Sequence, residues 1–294
     1  IVDDLPTATV IPNALTTICD DEVDPAYQDG TFGFDTTTFE TTILGGQTGM
    51  TVQYLDQNNT LLPSPLPNPF ITKTQNISAV VENPINPNRS ATITIPFVVN
   101  PIPNIELNSK ELICSNIPTF FATLDAGFFD NSSVTNFNYN WEKDGDILNA
   151  TTHTLGVNTE GNYTVEVTNS SGCSRTRSIQ VTASNSATIN TIDIVDLVDI
   201  NTVTINTSGP GDYEYSIDYL NGLWQDSNFF SSVPGGIHQV LVNDKNGCGI
   251  VTKEITVLSI PKFFTPNNDS YNDFWTVKGM ISYPNSELRI FDRY

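Results

Sequence analysis

The chain has 294 residues, enough for roughly two to four domains. Lys+Arg 12 against Asp+Glu 33 gives a net charge of −21, which argues against nucleic acid or a bare anionic membrane as a partner, since both require cations set against phosphate. Aromatic residues at 10% exclude a disordered acidic tail, and few helix formers beside abundant Val, Ile, Thr, Phe and Tyr predict an all-β protein.

No apolar run reaches the roughly 20 residues that span a bilayer. The chain opens Ile1-Val2-Asp3-Asp4 without a Met and stops mid-pattern at Tyr294, so it reads as part of a longer protein.

Residues 1–103 read as the first β-sandwich repeat. Its opening Thr17-Ile18-Cys19-Asp20 recurs as Leu112-Ile113-Cys114-Ser115 at the head of the following unit. Gly45-Gly46 reads as a turn, and Pro63-Ser64-Pro65-Leu66-Pro67-Asn68-Pro69 as an exposed loop. Pro96, Pro101 and Pro103 mark a short, stiff joint, because proline withholds a ladder donor and favours an extended path.

Residues 104–184 and 185–258 read as two copies of one Ig-like sandwich. Gly161-Asn162-Tyr163-Thr164-Val165-Glu166-Val167 leads to Cys173, and Gly236-Ile237-His238-Gln239-Val240-Leu241-Val242 leads to Cys248, at a constant offset of 75 positions. Each copy alternates into a strand, turns at Asn, Ser or Gly, and resumes as Ile179-Gln180-Val181 or Ile255-Thr256-Val257. That is a hairpin patterned with period two.

In the first copy Cys114 opens the unit, Trp141 lies mid-module and Cys173 closes it. A buried Trp beside an inter-sheet cysteine pair is a sandwich hallmark, so a Cys114–Cys173 disulfide is expected. Two buried thiols packed as small hydrophobes is the competing reading. Cys19 and Cys248 lack a partner within their own units and are expected to be free and buried.

Catalytic signatures are missing from the sequence. His153 and His238 lie apart with no metal spacing, and His238 occupies the position of Tyr163 in the other copy, which favours a structural role. There is no nucleophile elbow, zinc helix or phosphate loop, so a non-enzymatic role is expected. Two oxygen-rich clusters occur, Asp20-Asp21-Glu22-Val23-Asp24 and Asn267 to Asp273. Asn267, Asp269 and Asp273 alternate as calcium ligands do, and self-bonded Asx turns compete with calcium there. Phe120-Phe121, Phe128-Phe129, Trp224 and Phe229-Phe230 are aromatic clusters that could serve a core, or a glycan or protein surface.

Residues 259–294 carry the most specific pattern: Phe264-Thr265-Pro266-Asn267, then Tyr271-Asn272-Asp273-Phe274-Trp275, then Ile290-Phe291-Asp292-Arg293-Tyr294. This order resembles the start of the gliding-motility-associated C-terminal domain, the type B sorting domain of type 9 secretion cargo. Members usually read Asn-Gly-Asp-Gly where this chain has Asn268 and Ser270 beside Asp269, and they continue past Tyr294. The first repeat likewise resembles modules that often precede such domains, which usually carry a second late Cys. Here that region, Glu82 to Ser90, has none. Residues 104–258 resemble the Ig-like and PKD-like repeats of large secreted adhesins.

The resemblance implies a secreted protein retained at the bacterial surface, an elongated array of β-sandwich modules ending in a sorting tail. It implies recognition of that tail by the type 9 translocon and by an outer-membrane β-barrel of the PorP/SprF kind. The implied function is that of a gliding or attachment adhesin of the SprB type, whose distal modules could meet extracellular glycans or surfaces. The alternatives are the non-catalytic end of an exported polysaccharide-degrading enzyme, or a carbohydrate-binding module.

Overall fold

A computed structural model describes residues 5–129, 133–220, 222–271, 273–287, 289 and 291. The architecture is all-β, as the composition predicts, and the alternation of buried and exposed side chains along the strands is its direct cause.

The first repeat contains strands β1 (Thr17–Cys19) and β2 (Thr31–Phe34), helix α1 (Phe39–Leu44), and strands β3 (Thr51–Leu55), β4 (Leu61–Leu62), β5 (Phe70–Lys73), β6 (Gln75–Asn83) and β7 (Asn86–Asn100). A five-stranded sheet ordered β1-β7-β6-β3-β4 faces the two-stranded sheet β2-β5. Apolar residues recur every second position: Val52 and Tyr54 on β3, Ile77, Ala79 and Val81 on β6, and Ile95, Phe97 and Val99 on β7. They pack with Phe34 and Phe70 of the facing sheet, and Phe97 lies at the centre of an aromatic group with Phe34, Phe39 and Phe70.

Helix α1 caps this core with Phe39 and Ile43, four residues apart and thus on one helical face. It ends at Gly45, whose φ of 59° is the left-handed conformation that glycine adopts at least cost. The proline-rich loop is mostly exposed, as expected, but anchors the core through buried Leu66.

The second repeat contains β8 (Asn108–Cys114), β9 (Ala122–Asp125), β10 (Asn138–Lys143), β11 (Asp146–Leu148), β12 (Thr154–Val157), β13 (Gly161–Thr168) and β14 (Ser174–Ser184). Its sheets run β11-β10-β13-β14-β8 and β12-β9. Trp141 on β10 is fully buried and donates Nε1–H to Thr152 O at 2.8 Å. Ser178 N donates to Leu107 O (2.7 Å) and Ser115 N to Ser184 O (2.8 Å). Numbers rise together along both strands, so β8 and β14 run parallel. Strand β1 likewise runs parallel to β7, with Thr17, Ile18 and Cys19 opposite Val98, Val99 and Asn100.

The third repeat contains β15 (Thr188–Val195), β16 (Thr202–Ser208), β17 (Tyr213–Ile217), β18 (Phe229–Ser231), β19 (Gly236–Asp244) and β20 (Gly249–Val257). Sheets β15-β16-β18 and β17-β19-β20 enclose Val203, Ile205, Tyr215, Val240, Val242, Ile255 and Val257. The repeated sequence thus becomes one repeated hairpin, β13–β14 and β19–β20, and both copies open on a glycine with φ near 150° (Gly161 152°, Gly236 148°).

By compactness the chain divides into two units. One comprises Ile1–Ser109, Asp125–Leu155 and Asn162–Ile179, and the other Lys110–Leu124, Gly156–Gly161 and Gln180–Tyr294. This division passes through the second repeat. In the tail, the described order is one bridge between Ser259 and Lys278 and a short 3-10 turn, Met280–Ser282.

The first core also makes a titration prediction. Tyr54 is fully buried, and its hydroxyl meets no partner among the described residues. Burial, helped by the Glu40 charge, pushes its phenol from an ordinary 10.0 up to about 12. Because the folded value is raised, Tyr54 leaves stability independent of pH below 10.0 and lowers it as pH climbs from there toward 12. Tyr54→Phe should fold with unchanged or slightly greater stability, within about 1 kcal/mol, because an orphan polar atom is removed. Urea titrations at pH 8 to 11 should show a shallower alkaline decline than the parent; identical declines would contradict the assignment.

Candidate functional site

Two joints with the same construction emerge, and both correct the cysteine expectations. Cys19 is bonded to Cys173, and Cys114 to Cys248; no cysteine is free. The expected Cys114–Cys173 bridge does not form. Cys114 ends β8, whereas Cys173 precedes β14, and these lie at opposite ends of two parallel neighbours. A disulfide needs Cα atoms about 4.4–6.8 Å apart, which the observed pairs satisfy at 5.7 and 5.3 Å.

Each joint places the end of a repeat's first strand against the hairpin turn of the following repeat. In the first, Asp20 N donates to Asn100 O (2.9 Å), and the turn residue Asn169 accepts from Cys173 N (3.0 Å) while donating Nδ2–H to Pro101 O (2.7 Å). In the second, Ser115 N donates to Ser184 O, and Asp244 accepts from Cys248 N (3.2 Å) and from Ser184 Oγ (2.8 Å). Asn169 and Asp244 stand 75 positions apart, as do Cys173 and Cys248. The sequence held this signal: two first-strand cysteines, two turn cysteines, no turn cysteine in the first repeat and no first-strand cysteine in the third. Only staggered pairing builds the same joint twice.

Buried Arg175 reinforces the first joint by donating to Pro103 O (3.0 Å) and Glu22 O (2.7 Å). Burial lowers its pKa, while Asp20, Asp24 and Glu22 oppose that shift. Beside it, Asp20, Glu22 and Asp29 bring carboxylate oxygens within 4.8 Å of one another, a geometry able to hold a divalent cation. Asp20 already accepts from Asp21 N (3.1 Å) and Gly30 N (3.0 Å), and its contact with Glu22 raises the Glu22 carboxyl. Asp24, by contrast, caps a turn through Ala26 N (2.9 Å). A cleft of about 710 Å³ opens alongside, lined in part by Asp29, Lys73, Asn104 and Phe137.

His238 is structural, as its place in the repeat predicts. It is buried between Asp218 Oδ2 (2.6 Å from Nδ1) and Pro234 O (2.7 Å from Nε2). His153 packs its ring against Tyr139. The aromatic pairs alternate where the chain is extended: Phe229 is exposed and Phe230 faces the core, and Phe129 is exposed beside half-buried Phe128. Phe120 and Phe121, outside any strand, are both exposed.

In the tail, the expected recognition residues Phe264, Thr265, Pro266, Asn267, Tyr271 and Phe291 are exposed, and Asp273 and Trp275 half-buried. Asn272, Asp292, Arg293 and Tyr294 lie outside the described residues. The candidate calcium ligands form an Asx network. Asp273 accepts from the backbone N–H of Asn267 (3.0 Å), Asn268 (2.7 Å) and Ser270 (2.8 Å), and Asp269 from Tyr271 N (2.8 Å) and Asn267 Nδ2 (2.8 Å). The Asn267 side chain, followed by Tyr271 N–H, lowers the Asp269 pKa. Asn268 (φ 63°) and Ser270 (φ 71°) hold the left-handed conformation that suits glycine. The oxygens a cation would take are thus engaged with the loop's own donors.

Residues 258–294 match a family described as the CHU_C Type IX secretion signal domain. No curated protein matches the chain. Among solved structures, the three N-terminal domains of the bacteriophage RB49 highly immunogenic outer capsid protein are similar at 13% identity, covering 70% of this chain and 86% of that one, with a TM-score of 0.36. The eight N-terminal Ig domains of the Down syndrome cell adhesion molecule are similar at 14% identity and a TM-score of 0.36. That match covers 76% of this chain but only 32% of that one. The insect immune protein hemolin is similar at 10% identity, covering 89% and 79%, with a TM-score of 0.27. A type IX secretion signal behind tandem β-sandwich repeats fits a secreted, cell-surface protein.

The Asx network predicts that Asp273→Ala removes hydrogen-exchange protection from the amides of Asn267, Asn268 and Ser270, while Ser270→Gly preserves or increases it. Because the Asp269 pKa is lowered, its hold on the loop persists above the usual carboxylate value of 3.8 and is lost as pH falls through the folded value. Unchanged protection in Asp273→Ala would contradict this account of the loop.

Proposed function

We propose that this chain is the C-terminal region of a surface adhesin or filament stalk exported by the type 9 system. Its repeats would be a covalently stapled spacer and its tail the sorting and retention element. The observation that carries the reading is the secretion-signal match at residues 258–294, directly after the last strand of the third repeat. The disulfides support it, because such bonds persist where a protein leaves the reducing cytosol. So does the acidic excess, a net charge of −21, which suits a solvated, self-repelling spacer.

In this reading no residue is catalytic. Adhesion belongs to modules beyond the spacer, and tail recognition falls to the translocon and a PorP/SprF-like β-barrel. Exposed Phe264, Tyr271 and Phe291 would supply the apolar contacts, with the Asx loop holding the turn between the first two.

A fluorescent reporter preceded by an export leader and fused ahead of this chain, in a gliding bacterium with a working type 9 system, should reach the cell surface. Deletion of residues 258–294 should leave it in the periplasm, and crosslinking of the displayed protein should capture an outer-membrane β-barrel. Surface display of the deletion variant would refute the sorting role.

A further inference from the structure

Along the chain the four cysteines run 19, 114, 173, 248, and the bridges join 19 to 173 and 114 to 248. The two loops therefore overlap, and neither contains the other. We infer that this interleaving is a mechanical extension stop, with the parallel pair β8–β14 as its clamp, whatever the repeats carry at their ends.

Consider tension applied between Cys19 and Cys248. Three covalent routes join them through the bridges. One follows the chain from Cys19 to Cys114 and crosses to Cys248. Another crosses to Cys173 and follows the chain onward. The shortest crosses to Cys173, runs back to Cys114 and crosses again, so it uses only about 59 chain steps (173 − 114). The shortest route becomes taut first and limits the separation. At about 3.3–3.6 Å per residue, Cys19 and Cys248 can be drawn no more than about 200 Å apart. Without bridges, about 229 steps (248 − 19) would allow about 800 Å.

The ends of that shortest route are placed to resist. Cys114 is the last residue of β8, and Cys173 immediately precedes β14. Tension pulls β8 toward its C-terminal end and β14 toward its N-terminal end. The strands run parallel and side by side, so they must slide along each other. Sliding strains the bonds from Ser178 N to Leu107 O and from Ser115 N to Ser184 O together. Bonds loaded in this way fail as a set, whereas peeling would break them singly. The bridges thus direct tension onto one strand pair of the second repeat, and cap the chain released when that pair yields.

The test is to stretch the full chain from its two ends, first oxidised and then with reductant present. Reduction should lengthen the fully unfolded contour by about 600 Å, the difference between the two spans above. The single-bridge variant Cys114→Ser with Cys248→Ser should move the Cys19–Cys248 limit from about 200 to about 260 Å, set by the stretch from Cys173 to position 248. Ser178→Pro, which removes one clamp donor, should lower the yield force of the oxidised chain and leave the limit unchanged. A gain near 200 Å on reduction, the signature of a Cys114–Cys173 bridge, would overturn the inference. So would no gain, an unmoved limit in the single-bridge variant, or a yield force insensitive to Ser178→Pro in a folded variant.

Discussion

Two crossed disulfides are the constraint on which the rest of the organisation depends. Each sandwich has its own core of alternating apolar side chains, and those cores explain why the repeats fold. They do not explain how a first-strand residue stays fixed to a hairpin more than a hundred positions away. The bridges do. On the loop-entropy account each would stabilise the folded chain by about 5 kcal/mol if it acted alone, because the loops span 154 and 134 residues. Since the loops overlap, closing one shortens the other, and the two contributions do not add.

Hydrogen bonding at the joints shows why the hairpin turn is the receiving element. Asn169 and Asp244 satisfy the N–H of the cysteine four residues onward and simultaneously hold the end of the preceding repeat, through Pro101 O in one case and Ser184 Oγ in the other. A single side chain thus fixes the turn and docks it. Asn uses its amide N–H for the docking bond, whereas one oxygen of Asp244, Oδ2, accepts both from the turn's Cys248 N and from Ser184 Oγ. Two chemically different residues can fill one position because each offers an acceptor to the turn and a polar group to the neighbour.

Much of the fold was legible in the sequence. Period-two patterning located the hairpin strands β13–β14 and β19–β20, the 75-residue offset revealed their duplication, and Trp141 marked a buried centre. Pro96, expected in the joint, instead lies within β7 opposite Asn76 of β6. Helix α1 was not legible. Phe39–Leu44 is short and threonine-rich, and Thr38 makes no side-chain cap, so tertiary burial of Phe39 and Ile43 decides its conformation. The cysteine pairing was misread for a related reason. Four cysteines allow three pairings, and the choice turns on which strand ends lie side by side. The parallel run of β8 with β14 separates Cys114 from Cys173, and local patterning cannot show that. Around the acidic cluster, Asp29 joins Asp20 and Glu22 across the chain, beside the bond from Gly30 N to Asp20, a meeting that spacing in the sequence does not reveal. In the tail, the turn-loop motif was plain in sequence, and Asn268 and Ser270 hold the backbone shape that glycine would ordinarily take.

The central claim is the staggered pairing itself. Digestion of the oxidised protein without reduction, followed by mass spectrometry of the linked peptides, tests it directly. The account predicts one peptide pair joining Cys19 to Cys173 and another joining Cys114 to Cys248. A peptide pair joining Cys114 to Cys173, or free thiols at Cys19 and Cys248, would contradict it.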